Sequence, residues 1–186
     1  MSWQIIPLED MAPAPWRNGG GITRELLAWP TAEDWDWRIS VAEVERSGPF
    51  SHYDGVQRWF AVLGGAGVSL TLNGQTHRLE ATSDPLCFDG AQACTCELVA
   101  GPTEDFNLML KKDRGNARLV RVRDALDVEV QPGTRVAVYA WDEPATVQVD
   151  REFFTVPPHT LAWRALADGA SVRIEAPTAL WMEMTR

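Results

Sequence analysis

The chain has 186 residues, 45% of them hydrophobic, and a formal net charge of −9 at pH 7. It is long enough for one large domain or two small fused ones, whose core needs no disulfide or metal. Only two residues are lysines and the arginines are scattered, so we expect neither nucleic acid nor a membrane surface as a partner.

The three cysteines do not form an even-numbered disulfide framework. The N-terminus does not resemble a signal peptide, and no apolar run reaches the length of a membrane span. These features predict a cytoplasmic protein.

Alternating apolar and polar residues with frequent turn signals predict about a dozen short strands and no helix of three turns. In chain order the predicted strands cover residues 22–29, 35–44, 58–63, 68–72, 75–80, 94–99, 106–111, 119–122, 135–141, 146–149, 172–175 and 180–184. Asn73-Gly74 predicts a two-residue type I′ hairpin, because both residues tolerate positive φ. Short strands at hairpin spacing are typical of a barrel or sandwich.

One order of signals occurs twice along the chain. Asp89-Gly90, a strand, Pro102-Thr103 and a second strand are echoed by Asp168-Gly169, a strand, Pro177-Thr178 and a last strand. This order is expected of two copies of one β unit. Such turns also recur by chance in β proteins, so both interpretations stay open.

Metal-binding patterns are weak in this sequence. The three histidines lie far apart and include no His-x-His pair. Cys94 and Cys96 would share one strand face, with Cys87 nearby, and could hold a soft metal or serve as small buried apolar side chains. The second interpretation is favoured, and we predict no metal site and no cofactor.

Two short segments have a chemical and a structural interpretation. Ser51-His52 is the one nucleophile–base neighbour pair, but adjacent residues of an extended chain point to opposite sides, which favours a turn at residues 48–51. Residues 18–21, Asn-Gly-Gly-Gly, could form an anion-binding nest or a tight turn that needs positive φ, and the turn is favoured.

Several predicted strands carry polar side chains on one face, because consecutive residues alternate sides. In residues 35–44, Arg38 and Ser40 lie on the face opposite the large apolar side chains. The mixed faces of other strands carry Thr23, Glu25 and Leu27; Asp105, Asn107 and Met109; and Arg58, which begins an otherwise apolar strand. Such a face lines a pocket or is a solvated surface. In a pocket, Arg38 and Arg58 would clamp a carboxylate, because guanidinium donates two parallel hydrogen bonds.

Five segments, in order, resemble the HutD/Ves family. They are Trp-Arg-Asn-Gly-Gly-Gly-Ile-Thr-Arg-Glu at 16–25, Trp-Arg-Ile-Ser-Val-Ala at 37–42, Gly-Pro-Phe-Ser at 48–51 with Gly55 and Arg58, Phe-Asp-Gly at 88–90, and Asp-Phe-Asn-Leu-Met at 105–109. The resemblance implies an all-β bicupin, two jelly-roll-like barrels in one chain, which we place at residues 1–112 and 113–186 and expect to pack as one compact unit.

The resemblance also implies a bacterial cytoplasmic protein. One branch is linked to the histidine-utilisation operon, with a regulatory role through binding an intermediate such as formylglutamate; the other is labelled cold- or stress-inducible. The metal chemistry of many cupins is not carried over, since the His-x-His pair is absent.

The ligand-binding positions predicted from these motifs are Asn18, Thr23, Glu25, Arg38, Ser40, Ser51, Arg58 and Asn107. The expected partner is a small polar or carboxylate metabolite, such as formylglutamate or urocanate. Alternatively, the chain is a metal-independent hydrolase or isomerase with Glu25 as general base and an arginine stabilising negative charge. A buried Arg–Glu pair that only braces the barrel, a protein-interaction module and a homodimer also stay open.

Overall fold

The computed structural model describes residues 2–186 and consists almost entirely of β-strands. Its helical element within those residues is a 3-10 turn at Leu8–Asp10. The strands are β1 (Gln4–Pro7), β2 (Ala14–Pro15), β3 (Gly21–Pro30), β4 (Trp35–Val44), β5 (Gly48–Pro49), β6 (Val56–Gly64), β7 (Val68–Leu72), β8 (Gln75–Leu79), β9 (Leu86–Asp89), β10 (Cys94–Leu98), β11 (Thr103–Lys111), β12 (Asn116–Val130), β13 (Arg135–Ala140), β14 (Ala145–Val149), β15 (Glu152–Val156), β16 (Thr160–Ala165) and β17 (Ala170–Thr185). The predicted all-β class is confirmed. None of the helical turns in residues 2–186 approaches the length and apolarity needed to cross a bilayer.

The chain divides into two compact units. The N-terminal unit is Met11–Arg114, and the C-terminal unit combines Gly115–Arg186 with the N-terminal residues as far as Asp10. These first residues belong there because β1 pairs antiparallel with β16. The domain assignment at 1–112 and 113–186, and with it the bicupin arrangement, stays a prediction.

The N-terminal unit contains two antiparallel sheets. The first has the order β2-β3-β4-β11-β6-β9 and the second β5-β10-β7-β8. Alternate residues of both sheets form one apolar cluster, as expected when each sheet buries one face. Its buried members are Val44, Phe60, Val62, Val68, Leu70, Leu72, Leu79, Phe88, Cys94 and Cys96.

The C-terminal unit is a single sheet of order β1-β16-β13-β17-β14-β15, with β12 also paired to β17. The sequence predicts two strands at 172–175 and 180–184, but β17 runs unbroken from Ala170 to Thr185. Pro177 is tolerated because the ladder to β12 shifts register between Val122 and Asp124, opposite the proline. A proline without an N–H donor fits at such an irregularity.

Turn chemistry explains the hairpin between β7 and β8. Asn73 has φ 47° and Gly74 has φ 83°, and the two residues alone separate Leu72 from Gln75. The predicted two-residue hairpin is confirmed. The sequence does not predict six of the strands, in contrast: β1, β2, β5, β9, β15 and β16.

A β-bulge in β3 changes one predicted face. Glu25 pairs with Ser40 and Leu27 with Ile39, so Leu26 is the extra residue. Ser40 and Ile39 face opposite sides of β4. The expectation that Leu27 shares a side with Thr23 and Glu25 is therefore wrong, because the bulge turns the strand by one residue.

Candidate functional site

The N-terminal unit contains a cavity of about 820 Å³. Its lining includes all the residues that the sequence singled out as ligand-binding positions: Asn18, Thr23, Glu25, Arg38, Ser40, Ser51, Arg58 and Asn107. Aromatic and apolar side chains complete the wall, among them Trp16, Phe50, Tyr53, Phe60 and Met109. The mixed strand faces thus line a concave site rather than a flat surface.

Strand register brings the polar side chains together. Met109 of β11 lies opposite Arg38 of β4 on one side and opposite Arg58 of β6 on the other. Two residues along, Asn107 lies opposite Ser40. Because directly opposite residues of an antiparallel sheet share a face, neighbouring strands present these groups to one cavity.

Arg58 is the most deeply buried charged group of the cavity, with 5% of its surface exposed. Nη1 donates to the carbonyl of Ser51 over 3.2 Å, and Nη2 donates to Oδ1 of Asn107 over 3.1 Å. Nε is buried and has no hydrogen-bond partner within residues 2–186. Burial lowers the pKa of the guanidinium, because desolvation disfavours the charged form.

The surroundings of Arg58 are aromatic rather than acidic. Its guanidinium carbon lies 5.1 Å from the ring centre of Phe88, 5.4 Å from Tyr53 and 5.7 Å from Phe50. Ring faces attract cations but do not neutralise them. Across the described residues 2–186, Arg58 forms no ion pair with a carboxylate.

Arg38 sits in a more open position beside it. Its guanidinium carbon lies 5.7 Å from the ring of Trp35 and 5.9 Å from that of Tyr53. Its Nε is 3.6 Å from Oε2 of Glu25, whose side chain is 43% exposed. The Arg–Glu pair considered from the sequence is thus Arg38–Glu25, and it is too exposed to brace a barrel strongly.

Tyr53 is a cavity residue that the sequence interpretation missed. Its ring lies within 6 Å of both guanidinium carbons. Its N–H donates to the carbonyl of Gly90 over 2.8 Å, which holds the loop before β6 against the turn after β9. No periodic pattern marks a loop tyrosine, so its position emerges only from the fold.

The glycine-rich segment is a tight turn, as the sequence favours. The N–H of Gly20 donates to Oδ1 of Asn18 over 2.9 Å, and Gly19 has φ 66°. Nearby, Nε1 of Trp16 donates to Oγ1 of Thr23 over 2.8 Å. Asn18 thus uses its amide oxygen as an acceptor, and its NH₂ donates no hydrogen bond within the described residues.

Ser51 and its neighbour do not form a nucleophile–base pair. Ser51 contributes its backbone carbonyl to Arg58, while Nε2 of His52 lies 2.8 Å from Oδ1 of Asp54. The side chain of Ser51 lies on the rim of the cavity.

The cysteines differ in exposure. Cys94 and Cys96 are buried in the apolar cluster, and burial raises the pKa of the Cys96 thiol to about 12. Cys87 is exposed and accepts a hydrogen bond from Gln57. Residues 2–186 contain no group of three histidine, cysteine or carboxylate side chains placed to hold a metal ion.

Asp105 lies beside the cavity and is fully buried. The hydroxyl of Thr103 donates to Oδ2 over 2.7 Å, and Oδ1 has no hydrogen-bond partner within the described chain. Burial raises the pKa of this carboxyl to about 7, since a charge is costly where no cation compensates it.

The HutD family model matches residues 8–184. This chain belongs to the HutD family. It is 37% identical over 118 residues to an uncharacterized 21.2 kDa protein in the hutC 3′ region of Pseudomonas putida, a match that spans 62% of each chain. It is also 37% identical over 122 residues to protein Ves of Cronobacter sakazakii, which covers 65% of this chain and 67% of that protein. The predicted family membership is confirmed.

Solved structures agree over the whole chain. A conserved protein of unknown function from Pseudomonas aeruginosa PAO1 has 28% identity and a TM-score of 0.89, with complete coverage of both chains. HutD from Pseudomonas fluorescens SBW25, in a formate condition, has 30% identity and a TM-score of 0.85 over 99% of this chain and 98% of that one. A cupin 2 conserved barrel domain protein from Leptotrichia buccalis, at 12% identity and TM-score 0.56 over 98% and 96%, shows a cupin-like fold alone.

Proposed function

We propose that this protein binds a small carboxylate metabolite in the cavity of the N-terminal unit. The observation that carries the proposal is Arg58, a buried guanidinium that faces the cavity without a carboxylate partner among the described residues. An uncompensated buried charge costs several kcal/mol after relaxation, on the order of the penalty for breaking a buried pair. A bound anion would remove that penalty.

The remaining lining fits the same ligand class. Three arginines, Arg17, Arg38 and Arg58, and one carboxylate, Glu25, line the cavity, although the whole chain carries a net charge of −9. The amide NH₂ of Asn107 and the terminal nitrogens of Arg38 are donors for ligand oxygens. Hydrogen bonds to a charged group contribute about 1.5–3 kcal/mol each. A few of them support a binding free energy of about −8 kcal/mol, which corresponds to a micromolar Kd.

Histidine-pathway intermediates are the first ligands to test. One relative lies in a hutC region and one similar structure is a HutD protein. Formylglutamate and urocanate are small acids of this pathway, as the family resemblance implies. A regulatory role that limits histidine utilisation is part of this proposal.

Thermal-shift measurements with formylglutamate, urocanate and formate at millimolar concentration test the proposal. We expect stabilisation by at least one acid, because a ligand that binds only the folded state stabilises it by mass action. Sodium chloride at equal ionic strength is the control. If none of the acids raises Tm above this control, carboxylate binding is refuted.

The same mixtures decide between binding and catalysis. Glu25 lines the cavity and could act as a general base, so each acid is followed by NMR during incubation with the protein. Unchanged spectra together with a raised Tm support a binding protein. Turnover that the Glu25→Gln variant loses would support the enzyme instead.

A further inference from the structure

Asp105 lies two residues before Asn107 on β11. It pairs with Ala42 of β4 and Val62 of β6, as Asn107 pairs with Ser40. Because residues two apart on a strand share a face, Asp105 points to the same side as Asn107. Ala42 itself lines the cavity, so the buried carboxyl flanks the inner wall of the site.

Asp105 forms no ion pair with a cation in the part of the chain that the structure describes. Thr103 alone hydrogen-bonds the carboxyl within residues 2–186. The titratable or charged side chains on the inward positions of the surrounding strands are Glu25 on β3, Arg38 on β4, Arg58 on β6, His77 on β8, and Cys94 and Cys96 on β10; Glu104 precedes Asp105 on β11. Cys96 and Glu104 are near enough to interact with it, and both are acids.

We propose that Asp105 regulates this site by its proton: the neutral carboxyl allows an anion to bind at Arg58, and the ionised carboxylate opposes it. The inference rests on the proposed carboxylate-binding function. Asp105 does not touch the ligand in this scheme. It acts through its charge, beneath Asn107, which in turn holds the guanidinium of Arg58.

The separation makes the coupling large enough to measure. Strand rise places the Cα of Asp105 about 7 Å from that of Asn107 along β11, and Asn107 bonds the guanidinium that would hold the anion. The anion would then lie on the order of 10 Å from the carboxylate, a separation at which two negative charges in a protein interior change affinity roughly tenfold. The buried carboxyl has a pKa of about 7, so its charge changes near neutral pH and anion binding would be accompanied by proton uptake.

Formate is a suitable probe because it stays ionised from pH 6 to pH 8. The Kd of the full chain for formate is measured by NMR titration at both values, with chloride at matched ionic strength. We expect binding to weaken about tenfold from pH 6 to pH 8. The Asp105→Asn variant should bind equally at both values, because its side chain is neutral throughout.

Histidine also titrates near neutral pH, so two variants serve as controls. His52→Gln removes the ring next in sequence to the cavity residue Ser51, and His77→Gln removes the ring on β8. Both should keep the pH dependence of the parent chain. The inference is overturned if Asp105→Asn remains as pH-dependent as the parent, or if His52→Gln or His77→Gln abolishes the effect.

A second measurement needs no variant. The ¹³C resonance of the Asp105 carboxyl should titrate near neutral pH, and the midpoint of this titration should move to higher pH when formate is present. Titration in the ordinary range of aspartate would refute the inference even if formate binds. Failure of formate to bind at either pH would instead refute the anion site at Arg58 itself.

Discussion

Arg58 and Asn107 join two neighbouring strands inside the cavity, with Nη2 of Arg58 donating to Oδ1 of Asn107 over 3.1 Å. The amide oxygen satisfies one N–H but carries no full charge, so it does not neutralise the guanidinium. A carboxylate at the same place would. Because this partner is neutral, the guanidinium keeps a charge that the proposed carboxylate ligand would compensate, and substitutions at these two residues test the proposal.

Arg58→Met should weaken anion binding strongly while changing stability little. The substitution removes a desolvated charge and keeps an apolar chain in its place, as when buried ion pairs are replaced by apolar residues. The loss of one or two charged hydrogen bonds predicts about ten- to hundredfold weaker binding. Calorimetric titration gives Kd, and thermal unfolding gives Tm.

The matched control for that substitution is Arg24→Met. Arg24 also lies on the first sheet and is partly buried, but it pairs with Glu43 and is absent from the cavity lining. Its variant should bind like the parent chain. Equal loss of binding in both variants would mean that Arg58 acts through the fold and not as an anion receptor.

Asn107→Asp should stabilise the unliganded protein and block the site. The new carboxylate would take the position of Oδ1, which is 3.1 Å from Nη2 of Arg58, and form an internal charge-assisted bond. We expect a higher Tm and at least tenfold weaker formate binding. Asn18→Asp makes the same change at the exposed mouth of the cavity and should have a smaller effect; binding that survives in Asn107→Asp would contradict the proposed geometry.

Asp105→Asn should remove a pH-dependent loss of stability. The pKa of Asp105 is raised from 3.8 to about 7 by burial, so between these values the folded state holds a proton that the unfolded state has released. The contribution of Asp105 to the free energy of unfolding is therefore fully present below pH 4 and is lost as pH rises to 7. From pH 5 to pH 8 the variant should gain on the parent by about 3 kcal/mol, at roughly 1.4 kcal/mol per pH unit.

Urea unfolding of both proteins across this range measures the difference directly. Subtracting the two curves cancels titrating groups that they share, including the histidines. Parallel curves would show that Asp105 is ionised in the folded protein at neutral pH, contrary to its burial without a cation.

Gly90→Ala should displace the loop that carries Tyr53. A Cβ at Gly90 would lie 2.7 Å from the carbonyl oxygen of Tyr53 and 2.9 Å from that of Val56, so the backbone must move. Overpacking of this kind costs about 1–3 kcal/mol. Tm and formate affinity should both fall. Gly48→Ala, where a Cβ meets no atom within 4 Å, should change neither.

Several features of the site follow from local sequence. Alternation along a strand places Arg38 and Ser40 on one side of β4, and Asp105 and Asn107 on one side of β11, and the register of the sheet agrees. The hairpin at Asn73-Gly74 is also predictable from local sequence, because the preference for positive φ belongs to these two residues themselves.

Other features depend on strands that are distant in sequence. Whether a mixed face lines a cavity or meets solvent is set by the opposing sheet. The bulge at Leu26 depends on how β3 pairs with β4. Tyr53 contacts both arginines from a loop, where no periodic pattern of apolar and polar residues predicts its position.

The sequence by itself determined the β architecture, the family and which polar residues share a strand face, because side-chain alternation, turn preferences and motifs are local properties. Only the tertiary structure decided that, among residues 2–186, Arg58 is buried without a carboxylate partner and Asp105 is buried without an ion-pair partner. Burial and charge pairing are sums over residues from several strands, and no single segment of the chain contains them.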